Sequence, residues 1–81
     1  MKIPASEIAE SLHKSGKLPY GWKPARQGLR KVKVKNLQIL DALREHLPGE
    51  WRKVYHRGQD GTEIHYFEHE HTGKVWGVKV K

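Results

Sequence analysis

The chain has no cysteine, one methionine, one phenylalanine and only nine acidic residues among its 81. Each shortage removes a class of answer. Without cysteine, neither a disulfide framework nor a thiolate zinc site can staple so small a fold; redox compartment stays open. No apolar run approaches the roughly 20 residues of a membrane-spanning helix, and no signal peptide stands at Met1. No helix combines a basic face with a broad apolar one, which ranks membrane-surface binding low. A chain this short is one domain, residues 1–81. It hides only about 60–65% of its unfolded surface, so a small apolar core must carry the fold.

Positive charge is what the chain has in excess. Sixteen Lys and Arg against nine Asp and Glu give a formal +7. Such a field attracts polyanions: nucleic acid, an anionic membrane, or an acidic protein. The plainer alternative is a solubilising surface. With membranes ranked low, nucleic acid and an acidic protein partner remain.

Residues 5–15, ASEIAESLHKS, predict a short helix. Ser6 is its expected cap, Ile8, Ala9 and Leu12 its apolar stripe, and Gly16 its stop. Residues 16–35 read as a basic loop broken by prolines and glycines, with RKVKVK at 30–35 as a brief edge strand or extended lead-in. Tyr20 and Trp22 stand among the cations of that loop. This interleaving suits RNA, whose phosphates pair with cations while unstacked bases lie on rings; Trp22 equally suits packing over a small core. Residues 36–47, NLQILDALREHL, predict a second helix capped by Asn36, with Leu37, Leu40, Leu43 and Leu47 on one face. Residues 51–81 then read as a β-meander: strands at 51–57, 62–68 and 74–81, joined by GQDG and by a looser HEHTG turn. The class is α+β, two N-terminal helices packed on an antiparallel meander of three to four strands. The 36–47 helix is the expected cover for the sheet.

The two-residue period of strands assigns faces. Val54, Ile64, Tyr66, Trp76, Val78 and Val80 are expected beneath the helix. Lys53, Tyr55, Arg57, Glu63, His65, Phe67, Lys79 and Lys81 share the opposite face. That face holds a carboxylate and an imidazole two residues apart, ringed by cations. Cleavage of RNA by its own 2′-hydroxyl needs such parts: a base for the 2′-OH proton, an acid for the leaving 5′-oxygen, and cations for the phosphate. Histidine titrates near pH 6.5 and serves either proton role. A solvated face with cross-strand ion pairs explains the same pattern, and periodicity alone favours it. His65, His69 and His71 offer a third reading, a zinc site with His69-x-His71 as its half-site. Spacing supplies neither a further ligand nor a supporting shell for it.

From about residue 18 onward the chain resembles the C-terminal toxin domains of bacterial polymorphic and contact-dependent growth inhibition toxins. LPYGW (18–22), EHLPGEW (45–51), KVYHRGQDGTEIHYF (53–67) and TGKVWGVKVK (72–81) carry the resemblance. It implies a ribonuclease of the barnase–EndoU–colicin–RelE type, with helices on an antiparallel sheet whose open face cleaves RNA, often tRNA, without metal or other cofactor. It also implies an acidic immunity protein over the basic face, and delivery from a producing bacterium to the target-cell cytoplasm.

On the shared face and the resemblance together, His65 is the expected general base or acid. Glu63, His56 or His69 is its expected counterpart. Lys79 and Arg57 are expected to steady the phosphate, Tyr55 to orient it, and Trp22, Lys23, Arg26, Arg30, Lys53 and Lys81 to hold RNA. Two rival expectations stand beside this one: a non-catalytic nucleic-acid-binding module, and a protein whose basic face meets only an acidic protein.

Overall fold

The structure, a computed structural model, describes residues 3–81; the signal-peptide reading at Met1 lies outside them. Six elements follow in order: α1 (Ala5–Ser15), β1 (Pro24–Lys33), α2 (Leu37–His46), β2 (Trp51–Gly58), β3 (Glu63–His69) and β4 (Val75–Val80). The strands form one antiparallel sheet in the order β1-β2-β3-β4. The α+β class is as expected, and the three later strands lie within a residue or so of their predicted bounds. Among the described residues no helix is long and apolar enough to cross a membrane.

The main departure is β1. The expected basic loop at 16–35 is a ten-residue strand from Pro24 onward. Pro24 is tolerated because it opens an edge strand, where its missing N–H faces no partner. β1 is not regular. Pro24 pairs with Gly58 and Leu29 with His56, so Ala25, Arg26, Gln27 and Gly28 bulge opposite Arg57. Gln27 sits in the left-handed region at φ 55°, a conformation that β-sequence patterns do not announce.

Local helix chemistry is mixed. Asn36 caps α2 as expected, its Oδ1 accepting from the N–H groups of Gln38 (3.0 Å) and Ile39 (3.2 Å). The α1 N-cap is Pro4 and not Ser6, and no side chain caps that end. The chain enters α1 two residues before a Ser6 cap would allow, so Ser6 is already helical. Leu37 is also off the expected apolar face of α2, at 71% exposed, while Leu40 and Leu43 are buried.

The two helices cover different faces of the sheet. α1 sets Ile8 and Leu12 on Val54, Ile64 and Tyr66, with Val75, Val78 and Val80 packed around them. α2 sets Leu40 and Leu43 on Trp51, with Phe67 and Leu47 beside them. The expected cover by 36–47 is therefore corrected: α1 covers the Val54 face, and α2 covers one end of the other. Trp76 is corrected as well. Ile64 pairs with Val80 and His65 with Lys79, but Phe67 pairs with Trp76, so β4 carries one extra residue around Gly77. That residue reverses the alternation. Val75 turns inward to the α1 core, and Trp76 turns onto the α2 face at 48% exposed.

Candidate nucleic-acid interface

Because α2 lies over the Trp51 end only, the rest of its face stays open. There the register brings together residues far apart in sequence. Tyr55 lies opposite His65, Arg57 opposite Glu63, and Arg30 opposite Tyr55. On the far side Lys79 lies opposite His65. His65 thus stands between Tyr55 and Lys79 on adjoining strands. Its ring meets the Tyr55 ring edge-on, at 4.7 Å between centroids and 70°.

Cations crowd this tyrosine. The Arg30 guanidinium lies 4.5 Å from the centre of the Tyr55 ring, and Lys53 Nζ lies 5.3 Å from it. The four ion pairs among the described residues join Lys14 to Glu10, Lys31 to Glu68, Arg44 to Glu50 and Arg52 to Glu70. None of them uses Arg30, Lys53, Arg57, Lys79 or Lys81. Glu63 is the carboxylate that stands among these cations, opposite Arg57, and it makes none of the four ion pairs.

The β1 bulge walls this site. Gln27, Gly28 and Arg30 from β1 line a cleft of about 270 Å³ together with Tyr55, His56, Arg57, Glu63 and His65 from β2 and β3, although the His56 ring is turned to the α1 face. Gly28 is required there. A Cβ on it would stand 2.5 Å from the Arg57 carbonyl oxygen and 3.0 Å from that of Ala25. Gln27 and Gly28 were not foreseeable as cleft residues. The alternating RKVKVK announces a strand, but the bulge before it leaves no periodic signal.

Electrostatics favour a neutral His65. Burial lowers its pKa from the ordinary 6.5, and Lys81, Lys53 and Arg30 push the same way. Glu63 opposes them. Near neutral pH the imidazole is therefore unprotonated and can accept a proton.

The other two expected partners of His65 lie elsewhere. His56 alternates onto the α1 face, where its Nε2 lies 2.9 Å from the Tyr66 hydroxyl and its ring stacks on the Tyr66 ring. Burial raises the Tyr66 hydroxyl to about 12, with Glu68 adding to the shift. That hydroxyl keeps its proton, and the His56 tautomer sets which of the two donates in their hydrogen bond. His56 itself is lowered by burial first and by Lys31 second, so it is a neutral imidazole within a packed aromatic cluster. His69 shares His65's face but lies under the α2 end, 3% exposed. The Thr72 N–H donates to its Nδ1 (3.2 Å), so its Nε2 carries the proton and donates to the Pro48 carbonyl (2.9 Å). It ties the β3–β4 turn to the α2–β2 connection. His71 is exposed in that turn. The three histidines of the zinc reading are thus dispersed, and no group of three metal-ligating side chains occurs among the described residues.

The expected RNA-holding residues also divide. Arg30, Lys53 and Lys81 join the open face. Trp22 does not: it packs against the α1 core and meets the His56 ring edge-on at 5.9 Å. Lys23 borders a separate pocket beside Trp22 and Gln59. Arg26 is exposed within the bulge. Phe67 is half-buried against α2 and not free on the face.

Comparison with protein-family models, curated proteins and solved structures finds no match to this chain.

Proposed function

We propose that the open α2 face is the active face of a metal-independent endoribonuclease. The observation that carries this reading is a histidine held neutral in a cleft beside a tyrosine, amid five cations that no carboxylate pairs. His65 takes the proton of a 2′-hydroxyl. The 2′-oxygen attacks the adjacent phosphorus, and the bond from phosphorus to the 5′-oxygen breaks. Tyr55 donates its proton to that leaving oxygen. The products are a 2′,3′-cyclic phosphate and a free 5′-hydroxyl. Arg30, Arg57 and Lys79 stabilise the negative charge that builds on the phosphate, the kind of stabilisation that is usually the largest catalytic contribution. Glu63 acts by tuning His65 upward and is not itself the proton acceptor.

The resemblance to polymorphic toxin domains supports a biological setting for such chemistry. In it the chain cleaves RNA, tRNA foremost, in the cytoplasm of a rival cell, and an acidic immunity protein covers the same cations.

The test is incubation of the purified chain with total RNA, with and without EDTA, followed by mapping of the new ends. Cleavage persisting in EDTA with 2′,3′-cyclic termini is expected. His65→Ala should lower the rate by about 10²–10⁴, the usual worth of one positioned proton transfer. Intact RNA, or cleavage undiminished in His65→Ala, would sink the assignment. Clean binding without cleavage would leave a nucleic-acid-binding module.

A further inference from the structure

We infer that Trp76, braced by His46, is a base-stacking subsite that holds a single-stranded RNA nucleotide beside the His65 cleft. This rests on the reading of the open face as an RNA face, and it adds a residue that reading does not use.

Trp76 differs from the other two tryptophans. Trp51 is 4% exposed and donates its indole N–H to the Leu47 carbonyl. Trp22 packs against the α1 core. Trp76 is 48% exposed, yet it is not loose. Its ring lies against the His46 ring with centroids 4.1 Å apart and planes tilted by 37°. The backbone is bent to put it there. The extra residue in β4 is accommodated at Gly77, whose φ is 69°. A Cβ on Gly77 would meet Phe67 Cδ2 at 3.3 Å, so the phenyl ring occupies that space. Without the bulge Trp76 would share the inward face of Val78 and Val80. A small domain short of large apolar groups turns one outward, at the expense of its core.

The position suits a nucleotide next to the one being cleaved. Trp76 lies across from Phe67, and Phe67 lies two residues, roughly 7 Å along the strand, from His65. Lys53 Nζ stands 5.8 Å from the Phe67 ring, and Lys79 flanks the same stretch of β4. An exposed, pre-positioned ring beside unpaired cations is how single strands are held: bases lie on the ring and phosphates on the cations. The positive surroundings favour this occupant over an apolar protein surface.

The experiment titrates the wild-type chain with a short 2′-O-methyl oligoribonucleotide, which cannot cleave itself. Tryptophan fluorescence and affinity are read together, with total-RNA cleavage measured in parallel. Quenching on binding is expected. Trp76→Ala should abolish the quench and weaken binding roughly 5- to 150-fold, the range for losing one base–aromatic stack. Trp76→Tyr should keep most of the affinity. Unchanged affinity in Trp76→Ala, or binding without a quench, overturns the subsite even if RNA is cleaved. So does a quench given by an acidic peptide and not by the oligonucleotide. Conversely, the expected losses in a protein that cleaves nothing uphold the subsite and remove the nuclease reading. If Trp76→Ala melts early, Trp76→Tyr decides: it should bind with the quench lost, and a quench that survives in it comes from Trp22 or Trp51 and overturns the subsite.

Discussion

His65 draws its character from neighbours that the sequence scatters over three other parts of the chain. Burial, Lys81, Lys53 and Arg30 all disfavour its charged form, and only Glu63 favours it. The sign of each effect is testable. The imidazole of His65, followed by NMR, should titrate below 6.5. Lys81→Met should move the midpoint up, since it removes a repelling charge, and Glu63→Gln should move it down. The acid limb of the cleavage rate should follow the same midpoint, because only the neutral base works. His65 and His56 both have lowered pKa values in the folded chain, so the unfolded chain binds protons first. Their contribution to stability is full above about 6.5 and is lost as pH falls through the folded midpoints. A His65 midpoint above 6.5, or one that Lys81→Met leaves in place, would contradict this account. Single residues were legible to the extent that alternation governs them. Tyr55, Arg57, Glu63, His65 and Lys79 follow the two-residue period and meet on one face. His56 is one step out of phase with Tyr55 and Arg57, so it faces the α1 core. His69 is in phase, and is lost to the site because the α2–β2 connection at Pro48 and Gly49 closes over it; no local pattern reports that contact.

At the level of elements, the two bulges decide what the sheet presents. One in β1 raises Gln27 and Gly28 beside the cleft, and one in β4 turns Trp76 outward. Bulges concentrate at sheet edges and next to functional sites, and β1 and β4 are the two edges here. The β1 bulge is held by a close approach of backbone to backbone, and only glycine permits it at position 28. Gly28→Ala should force β1 away from β2 at a cost of roughly 1–3 kcal/mol, typical of overpacking. In a domain of this size that appears as a fall in Tm of at least about 4 °C. Cleavage should drop further than the lost folded fraction explains, because Arg30 moves with the bulge. Full activity in a stable Gly28→Ala protein would show that the β1 wall is not part of the site. The elements themselves were largely readable, since caps, turns and apolar periods mark both helices and β2 to β4. Strand β1 was legible only toward its end, where RKVKVK alternates; its first half was not, because proline, glycine and cations carry the usual signature of a loop. Here the pairing energy comes from β2, whose partners lie 19 to 34 residues further along the chain.

Across the whole molecule, the sheet separates charge by face. Lys31 and Arg52 lie on the α1 face, where Lys31 pairs with Glu68, and Arg52 reaches Glu70 in the following turn. Arg30, Lys53, Arg57, Lys79 and Lys81 on the α2 face take no part in such pairs. Five unpaired cations of a chain with formal charge +7 are thus gathered on one face, while others, among them Lys17, Lys33 and Lys74, lie away from it. Binding to single-stranded RNA should release counterions in proportion to the phosphates met, so log K should fall linearly with log salt at about −0.7 per phosphate. If all five cations meet phosphate, the slope is about −3.5. Lys79→Met should weaken binding to every RNA alike and reduce the slope by about 0.7. Arg44→Met, whose guanidinium already pairs with Glu50 at 2.8 Å, should leave the slope almost unchanged. The contrast matters because both changes remove one unit of net charge. Equal effects would mean that RNA responds only to total charge, and that the open face has no privileged role. Unequal effects in the stated order would locate the phosphate path on the α2 face, independently of whether the RNA is cut.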